Sequence, residues 1–369
     1  MTTLTPDQLQ QALALRDLTD PAAGDHALQH VVAAIENALR GAWRIPVRRD
    51  PGPRIVPIAD NYDRLRYPMD AVTRDRRYTR YVDGERMLRS HTTARIPALL
   101  ARLATEGPDD ILLSVPGICY RRDVIDRTHV GEPHQLDLWR VRRTGPPLAE
   151  SDLAEMVSAV VHAVLPRSPW HTPPSSHPYT ERGREIYAGD VEIGECGLAH
   201  PQVLAAAGLP AGASGLAMGL GLDRLAMLAK GVDDIRLLRS PDRRVAGQMR
   251  DLSPYRPVSA MPSATRDLSI AVGDDLDGEL LGDRVRQVLG RDADAVEEVV
   301  MLDETHYAEL PSAARKRMGM RPGQKNVLVR VVLRDLTRTL TAVEANAIRD
   351  RVYAGLHEGA AYEWTTRSG

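Results

Sequence analysis

A polar turn near residue 128 has charged residues on both sides. Arg121 and Asp123 precede it, and Gln135 and Asp137 follow it, each pair spaced two residues apart. If the two segments pair as antiparallel strands, the alternate residues of each point into one cleft. An arginine there offers a planar fork for a phosphate, whereas carboxylates and amides suit an ammonium group. A surface hairpin held by ion pairs is the other interpretation of this pattern.

A second candidate site is the glycine-rich segment 214–221, which precedes a predicted helix over 222–230. Small residues on a strand let a flat ligand lie against the backbone. Arg224, in the first turn of the helix, could then reach a triphosphate or an adenine ring. Close packing of the helix on the strand would explain the glycines equally well.

The elements that must position these residues are short strands separated by polar loops. Between residues 61 and 252, apolar runs such as 111–115 and 191–193 alternate with loops, and helices are predicted only over 153–165 and 222–230. Regular crossover helices between the strands are missing from this pattern. It therefore favours a mainly antiparallel sheet over a doubly wound parallel one.

A different pattern begins after the turn-rich residues 253–263. It predicts strands at 268–272, 296–302, 326–334 and 361–364, and helices at 277–289 and 343–356. The resulting order, βαββαβ, is that of the split ferredoxin-like fold.

The chain is therefore predicted to be an α+β protein with three parts. Residues 1–55 form an N-terminal helical segment whose apolar residues over 28–39 recur with helical spacing. Residues 56–254 form the mainly antiparallel domain, and residues 255–369 form the ferredoxin-like domain.

Composition excludes several classes of protein. The 48 basic and 50 acidic residues nearly cancel, so nucleic acid could bind only at a local patch. Two cysteines, Cys119 and Cys196, are too few for a disulfide framework or a cysteine-built zinc site. No signal peptide and no membrane-spanning apolar run is present, so we expect a cytoplasmic protein without a membrane partner. Phenylalanine is absent from all 369 residues.

Five segments in order resemble class II aminoacyl-tRNA synthetases, and more closely the catalytic α subunit of phenylalanyl-tRNA synthetase. They are LRSHTT (88–93), GICYRRD (117–123), HPYTE (177–181), ECGLAHP (195–201) and GLGLDR (219–224). The segments RDL (266–268) and VVLRDLTRTLT (331–341) resemble the ferredoxin-fold anticodon-binding module of the same family. The combination in one chain resembles the organellar phenylalanyl enzyme, and a free-standing bacterial paralogue of the catalytic domain is the other candidate.

This resemblance implies an ATP- and Mg²⁺-dependent ligase that makes an aminoacyl-adenylate and transfers the amino acid to tRNA. It implies three catalytic residues: Arg121 on the ATP α-phosphate, Arg224 on the γ-phosphate and His129 near the phosphates. Cations already in place stabilise the negative charge that develops when a carboxylate attacks the α-phosphate. Mg²⁺ would bridge phosphates, and no protein ligand set for a metal is expected. The implied ATP site also includes Asp123, Gly219, Gly221 and Asp223.

The resemblance also implies an amino-acid site. His91, Thr93, Gln135 and Asp137 would face the substrate ammonium and carboxylate, with Asp137 one methylene shorter than the glutamate usual in the family. Ala217 would lie at the bottom of the side-chain pocket.

Three further positions depart from the family. His177 and Tyr179 stand where it has two phenylalanines that grip the substrate ring, and Ile96 stands where it tends to have a polar amide. Polar-edged rings need hydrogen-bond partners that a phenyl ring cannot supply. If the substrate supplies these partners, it is a phenylalanine analogue or another amino acid with a hydrogen-bonding side chain. Alternatively, both rings bond to nearby protein or water, and the pocket still takes phenylalanine.

The acceptor is expected to be tRNA, bound through the C-terminal module. A protein, carrier or small-molecule acceptor, and a non-catalytic paralogue, are the alternatives. Two basic runs could contact phosphates, although solvated charged loops would give the same pattern. A monomer or homodimer is expected. The runs are Arg315, Lys316, Arg317, Arg321 and Lys325, and Arg74, Arg76, Arg77 and Arg80 with Tyr78 and Tyr81 interleaved.

Overall fold

The computed structural model describes residues 3–74, 79–122, 124–258 and 261–361. They form two compact units. The first comprises Met1–Arg121, Glu132–Asp233 and Ala246–Tyr255, and the second comprises Arg122–Gly131, Asp234–Val245 and Arg256–Gly369.

The helices and strands alternate along most of the described chain. The helices are α1 Pro6–Ala14, α2 Ala27–Trp43, α3 Ile58–Asn61, α4 Ile96–Thr105, α5 Glu150–Val164, α6 Pro201–Ala206, α7 Leu222–Lys230, α8 Arg243–Ala246, α9 Gly278–Leu289, α10 Ser312–Met318 and α11 Ala342–Leu356. The strands are β1 Val47–Arg49, β2 Ile55–Pro57, β3 Arg86–Leu88, β4 Asp110–Ile118, β5 His134–Arg142, β6 Trp170–His171, β7 Thr180–Ala188, β8 Val191–Ala199, β9 Ser214–Gly221, β10 Ala264–Gly273, β11 Val296–His306 and β12 Gln324–Leu333.

A seven-stranded sheet in the order β1-β4-β5-β9-β8-β7-β6 is the frame of the first unit. Its edge strand β1 runs parallel to β4, and the other neighbours pair antiparallel. The mainly antiparallel sheet predicted from the sequence is thus confirmed. Helix α4 packs against this sheet and contributes Leu99, Leu100 and Leu103 to an apolar cluster with Leu113 and Trp139.

Helix α2 shows why the N-terminal residues join the first unit. It buries a stripe that includes Val31, Ile35 and Leu39, as the helical spacing predicts. His26 caps its N-terminus by accepting a hydrogen bond from the Leu28 amide, and the chain leaves the helix at Arg44 in a left-handed conformation. The buried stripe lets α2 pack against α5 and α7.

The second unit has an antiparallel sheet in the order β10-β12-β11 with α9 and α11 packed on it. Five of the six predicted elements are present. The sixth, a strand at 361–364, lies outside the described residues except for Ala361, so the ferredoxin-like assignment stays a prediction. The short helix α10 was not predicted, and it carries Arg315, Lys316 and Arg317.

The loop between β4 and β5 belongs to the second unit. Ile125 lies in the apolar core of that unit, and its carbonyl accepts a hydrogen bond from the Val299 amide at 2.9 Å. Arg286 donates to the Val124 carbonyl at 2.7 Å, and Arg127 bonds to buried Glu297. The domain boundaries predicted from the sequence, after residues 55 and 254, stay predictions.

The described helices include none that is both long enough and apolar enough to cross a membrane.

Candidate active site

Three neighbouring strands of the first unit place two carboxylates in one row. Asp137 on β5 pairs with Gly219 on β9, and Gly219 pairs on its other side with Glu195 on β8. Residues directly opposite each other in a sheet project from the same face. Asp137 and Glu195 therefore flank a residue that has no side chain of its own.

The missing side chain of Gly219 keeps the space between these carboxylates open. A Cβ atom there would lie 3.7 Å from Cγ of Glu195, and 3.9 Å from both Oδ2 of Asp137 and Oε1 of Glu195. These are ordinary contact distances, so a single methyl group would touch both side chains.

Asp137 is buried and held by three donors. The hydroxyls of Thr92 and Thr93 each donate to its Oδ2 at 2.9 Å, and the Trp139 indole donates to Oδ1 at 3.3 Å. Burial raises the pKa of Asp137 to about 7, although these hydrogen bonds oppose the shift. The group can therefore gain or lose its charge near neutral pH.

Glu195 is the hydrogen-bond partner of His177 and Tyr179, the two residues that stand where phenylalanines were expected. Its Oε2 lies 2.9 Å from Nε2 of His177, and its Oε1 accepts a hydrogen bond from the Tyr179 hydroxyl. Burial would lower the pKa of His177, but the bond to Glu195 outweighs it and raises the pKa. Burial would likewise raise the pKa of Glu195, but His177 and Tyr179 lower it. Each partner therefore favours the charged form of the other.

The protein's own rings fill the space around Ala217. Trp139 pairs across the strands with Ala217 and stacks on Tyr179 with ring centroids 6.1 Å apart. Ala217 and Trp139 are 0% exposed and Tyr179 is 2% exposed. Tyr67 adds a third ring, 6.3 Å from Tyr179.

His91 is a buried histidine with unused hydrogen-bonding capacity. Its ring stacks on Tyr67 at 5.6 Å, and neither ring nitrogen has a hydrogen-bond partner among the described residues. Burial, assisted by the charge of Arg121, lowers the pKa of His91 to about 3. His91 is therefore a neutral imidazole whose ring nitrogens are left without partners among the described residues.

Gln135 lies two residues before Asp137 on β5, so the two side chains project from the same face of the sheet. Its side-chain oxygen accepts hydrogen bonds from the Thr92 amide at 3.3 Å and from the Cys119 thiol at 3.5 Å. Cys119 is fully buried, and burial raises its pKa to about 12, so the thiol stays protonated.

Two expected phosphate-binding arginines belong to this unit. Arg121 follows β4 and donates from Nε to the Ser90 carbonyl at 2.8 Å, and within the described residues its outer guanidinium nitrogens have no partner. Arg224, in the first turn of α7, donates to the Glu192 carbonyl at 2.9 Å and lies 3.3 Å from the Glu192 carboxylate.

Asp223 and Gly221 occupy the same junction of strand and helix. Asp223 is buried and bonds to the backbone amide and the imidazole of His134. Its carboxylate therefore fixes the start of β5. A Cβ atom at Gly221 would lie 3.9 Å from Cδ of Arg224, so this glycine leaves room beside that arginine.

His129 is placed in the second unit. Its Nδ1 lies 2.7 Å from Oδ2 of Asp126 in the loop between β4 and β5. Asp123, the expected acidic partner of Arg121, lies outside the described residues. Among the residues that the structure describes, no group of three or more His, Cys, Asp or Glu side chains could hold a metal ion.

Four residues of the site received no role in the sequence analysis. Thr92 and Glu195 were inside quoted segments, and the strand alternation that places Glu195 opposite Gly219 was the available signal. Trp139 and Tyr67 carried no local signal, because only the packed fold brings their rings to Tyr179.

Comparison with known proteins agrees with these observations. The family described as "tRNA synthetases class II core domain (F)" matches residues 15–249, which is more than half of the chain. A protein named probable phenylalanine–tRNA ligase, mitochondrial, from Drosophila melanogaster is 28% identical over 89% of this chain and 82% of its own length. A phenylalanine–tRNA ligase alpha subunit from Prochlorococcus marinus (strain MIT 9313) is 32% identical over 63% of this chain and 69% of its own length.

The chain therefore belongs to the class II tRNA synthetase core-domain family, and its relatives include proteins named phenylalanine–tRNA ligase. The expected enzyme class, a ligase, is confirmed by this membership. Among solved structures, a pyrrolysyl-tRNA synthetase from Desulfitobacterium hafniense matches with a TM-score of 0.49 and 19% identity, over 63% of this chain and 78% of that chain.

Proposed function

We propose that this protein activates an amino acid with ATP and transfers it to tRNA, releasing AMP and pyrophosphate. The observation that carries the proposal is the row Asp137, Gly219 and Glu195 in the same unit as Arg121 and Arg224. It combines anionic groups for a substrate ammonium with cations for a triphosphate.

The donor set fits ATP. Arg121 has outer guanidinium nitrogens available for phosphate oxygens, and its Nε bond to the Ser90 carbonyl fixes the plane of the fork. Arg224 can exchange its contact with the half-exposed Glu192 carboxylate for a phosphate. Mg²⁺, when bound, would neutralise phosphate charge. Because the described residues offer no cluster of three metal ligands, the phosphates would supply most of its coordination.

The amino acid would bind with its ammonium group at Asp137 and Gln135. Thr92 and Thr93 hold Asp137 in place, and neutral His91 can donate a hydrogen bond to the substrate carboxylate. That carboxylate is the nucleophile, so orienting it toward the α-phosphate is the main task of these side chains.

Pyrophosphate exchange across the common amino acids tests the activation step. We expect ATP-dependent exchange with at least one amino acid, and a loss of about 100-fold or more in Arg121→Ala and Arg224→Ala. Arg102→Ala is the control. Arg102 is 65% exposed on α4, and its ion pair with Asp50 is long, at 4.0 Å. Absence of exchange with every amino acid would overturn the proposal.

Transfer to tRNA is supported by basic residues of the second unit. Lys316, Arg317 and Arg321 are exposed, and Arg315 lies over the Tyr307 ring at 4.8 Å. The fifth residue of this run, Lys325, is buried and bonds to Glu304, so it is unavailable for phosphate.

The second basic run is less suited to tRNA. Arg74 bonds to Asp63 at 2.6 Å, Arg80 bonds to Glu132 at 2.8 Å, and Tyr81 is buried. The residues between them, 75–78, lie outside the described part of the chain.

Gel shifts with total tRNA at two salt concentrations test this step. A triple alanine variant of Arg315, Lys316 and Arg317 should bind tRNA more weakly and with a smaller salt dependence. A triple alanine variant of Arg284, Arg291 and Arg351 is the control, because it removes the same charge from the same unit. Equal tRNA binding by both variants would exclude α10 as the tRNA contact. A cytoplasmic location and a monomeric or homodimeric state belong to this proposal, although the Drosophila relative is named mitochondrial.

A further inference from the structure

The part of the site expected to hold a phenyl ring is lined by buried side chains of the protein itself. Ala217, its expected floor, is 0% exposed, and so is its cross-strand neighbour Trp139. Trp139 is fixed on one side by stacking on Tyr179 and on the other by donating to Asp137. A substrate ring could reach Ala217 only if Trp139 moved out of its packed position.

The accessible part of the site is polar. The side chain of Glu195 is 36% exposed, whereas that of its partner His177 is 10% exposed. Among the residues that the structure describes, each carboxylate oxygen of Glu195 has one partner, His177 or Tyr179. Because a carboxylate oxygen accepts two hydrogen bonds, each can accept one more from a ligand.

The distance available to a ligand is short. Asp137 and Glu195 both come within 3.9 Å of the position of a Cβ atom on Gly219, from opposite sides. A substrate whose ammonium binds Asp137 therefore needs only a few further atoms to bring a second donor to Glu195.

We propose that Glu195 determines substrate specificity, and that the amino acid activated has a short side chain ending in an amine, amide or hydroxyl donor. This inference rests on the proposed function, because it concerns the amino-acid site of that reaction. Because His177 and Tyr179 already bond to Glu195, the carboxylate does not need a cation as its next partner, and a neutral donor fits as well as a cationic one. Phenylalanine would cover Glu195 without giving it a hydrogen bond. A site built to bond a substrate donor rejects an analogue that lacks the donor by up to about 10⁴-fold.

The decisive experiment compares kcat/KM for pyrophosphate exchange in the 369-residue chain across two sets of amino acids. One set has short donor side chains: serine, threonine, asparagine, 2,3-diaminopropionate, 2,4-diaminobutyrate and ornithine. The other set is phenylalanine, tyrosine and histidine. We expect a member of the first set to exceed phenylalanine by about 100-fold or more.

Glu195→Gln provides the second measurement. It should lower kcat/KM for the preferred substrate by about tenfold or more and leave the KM for ATP unchanged. Glu181→Gln is the matched control, because Glu181 lies on the neighbouring strand β7, is 54% exposed and is 3.9 Å from a histidine, His200. It should leave both parameters unchanged.

The outcomes separate this inference from the function on which it rests. If phenylalanine gives the highest kcat/KM in the native protein, the inference is wrong and the proposed function stands. If no amino acid supports exchange, both are overturned. The comparison in the native protein needs no variant, so the inference can be rejected even if Glu195→Gln does not fold.

Discussion

Asp137 and Glu195 approach Gly219 from opposite strands, and their ionisation is tuned in opposite directions. Burial raises the pKa of Asp137 to about 7. Burial acts on Glu195 in the same sense, but hydrogen bonds from His177 and Tyr179 prevail and lower its pKa. Near neutral pH the row therefore holds one permanent anion and one carboxyl group that titrates.

The pH dependence of substrate binding should follow Asp137. Below pH 7 this group becomes protonated and no longer attracts an ammonium group, so kcat/KM should fall by about tenfold per pH unit. The groups that face it are Thr92, Thr93, Trp139 and the charge of Glu195. Pyrophosphate exchange between pH 5.5 and 8.5 measures the profile.

Asp137→Asn should lower kcat/KM at high pH and remove its slope below pH 7. An unchanged slope would assign the titration to another group.

The stability of the protein responds to pH in the opposite sense. Because the folded pKa of Asp137 lies above the ordinary aspartate value of 3.8, the contribution of this group to the free energy of unfolding decreases as pH rises from 3.8 toward 7.

Gly219→Ala should fold and yet bind its amino acid poorly. The new methyl group would lie at ordinary contact distance from Asp137 and Glu195, so it adds little strain but occupies the gap. We expect the KM for the amino acid to rise about tenfold or more with little change in the KM for ATP. Gly221→Ala, two residues further along β9, should instead affect the KM for ATP, because its methyl group lies beside Arg224. Identical effects of the two substitutions on both KM values would contradict this assignment.

Trp139→Leu should destabilise the protein and enlarge the space beside Ala217. Truncating a sealed indole costs roughly 2–4 kcal/mol in the free energy of unfolding, measurable by urea denaturation. It also opens space beside Ala217, so exchange with phenylalanine should increase by about tenfold relative to the native protein. Trp43→Leu is the control, because Trp43 is a half-buried residue at the end of α2 beneath Arg140. If phenylalanine gains nothing from the Trp139 change, the indole does not limit the pocket.

Glu297→Gln should loosen the loop between β4 and β5. Glu297 is 4% exposed and accepts hydrogen bonds from Arg127 at 2.7 Å and from Arg334 at 2.5 Å. Losing its charge should speed hydrogen exchange at the Val299 amide, which bonds to Ile125, by about tenfold. Asp267→Asn removes an exposed partner of Arg330 on the same sheet and should leave that amide unchanged. Equal protection in native protein and Glu297→Gln would mean that the charge of Glu297 does not hold the loop.

Local sequence patterns were sufficient to predict a helix where that helix buries one face. The spacing of Val31, Ile35 and Leu39 predicted α2, and residues 222–230 coincide with α7 Leu222–Lys230. Helix α4 was missed, because it follows a polar turn and has a proline in its first turn, which resembles a loop in one dimension.

The amino-acid site was predictable only in part. The requirement of His177 and Tyr179 for hydrogen-bond partners followed from their chemistry, and the partner was found within the protein at Glu195. The identity of that partner depends on the register of β7, β8 and β9. The β7–β8 pairing has two register shifts, so the register could not be obtained by counting residues along the strands. The filling of the pocket by Trp139 could not be foreseen, because packing is decided by neighbours remote in sequence.

The placement of Ile125 and Arg127 in the second unit sets an order for synthesis. These residues leave the ribosome well before their partners, since Arg127 and Glu297 are 170 positions apart. At roughly 5–20 residues per second, that interval is on the order of 10–30 seconds. During that interval the apolar Ile125 side chain has no core to enter, so it stays exposed on the nascent chain until β11 emerges.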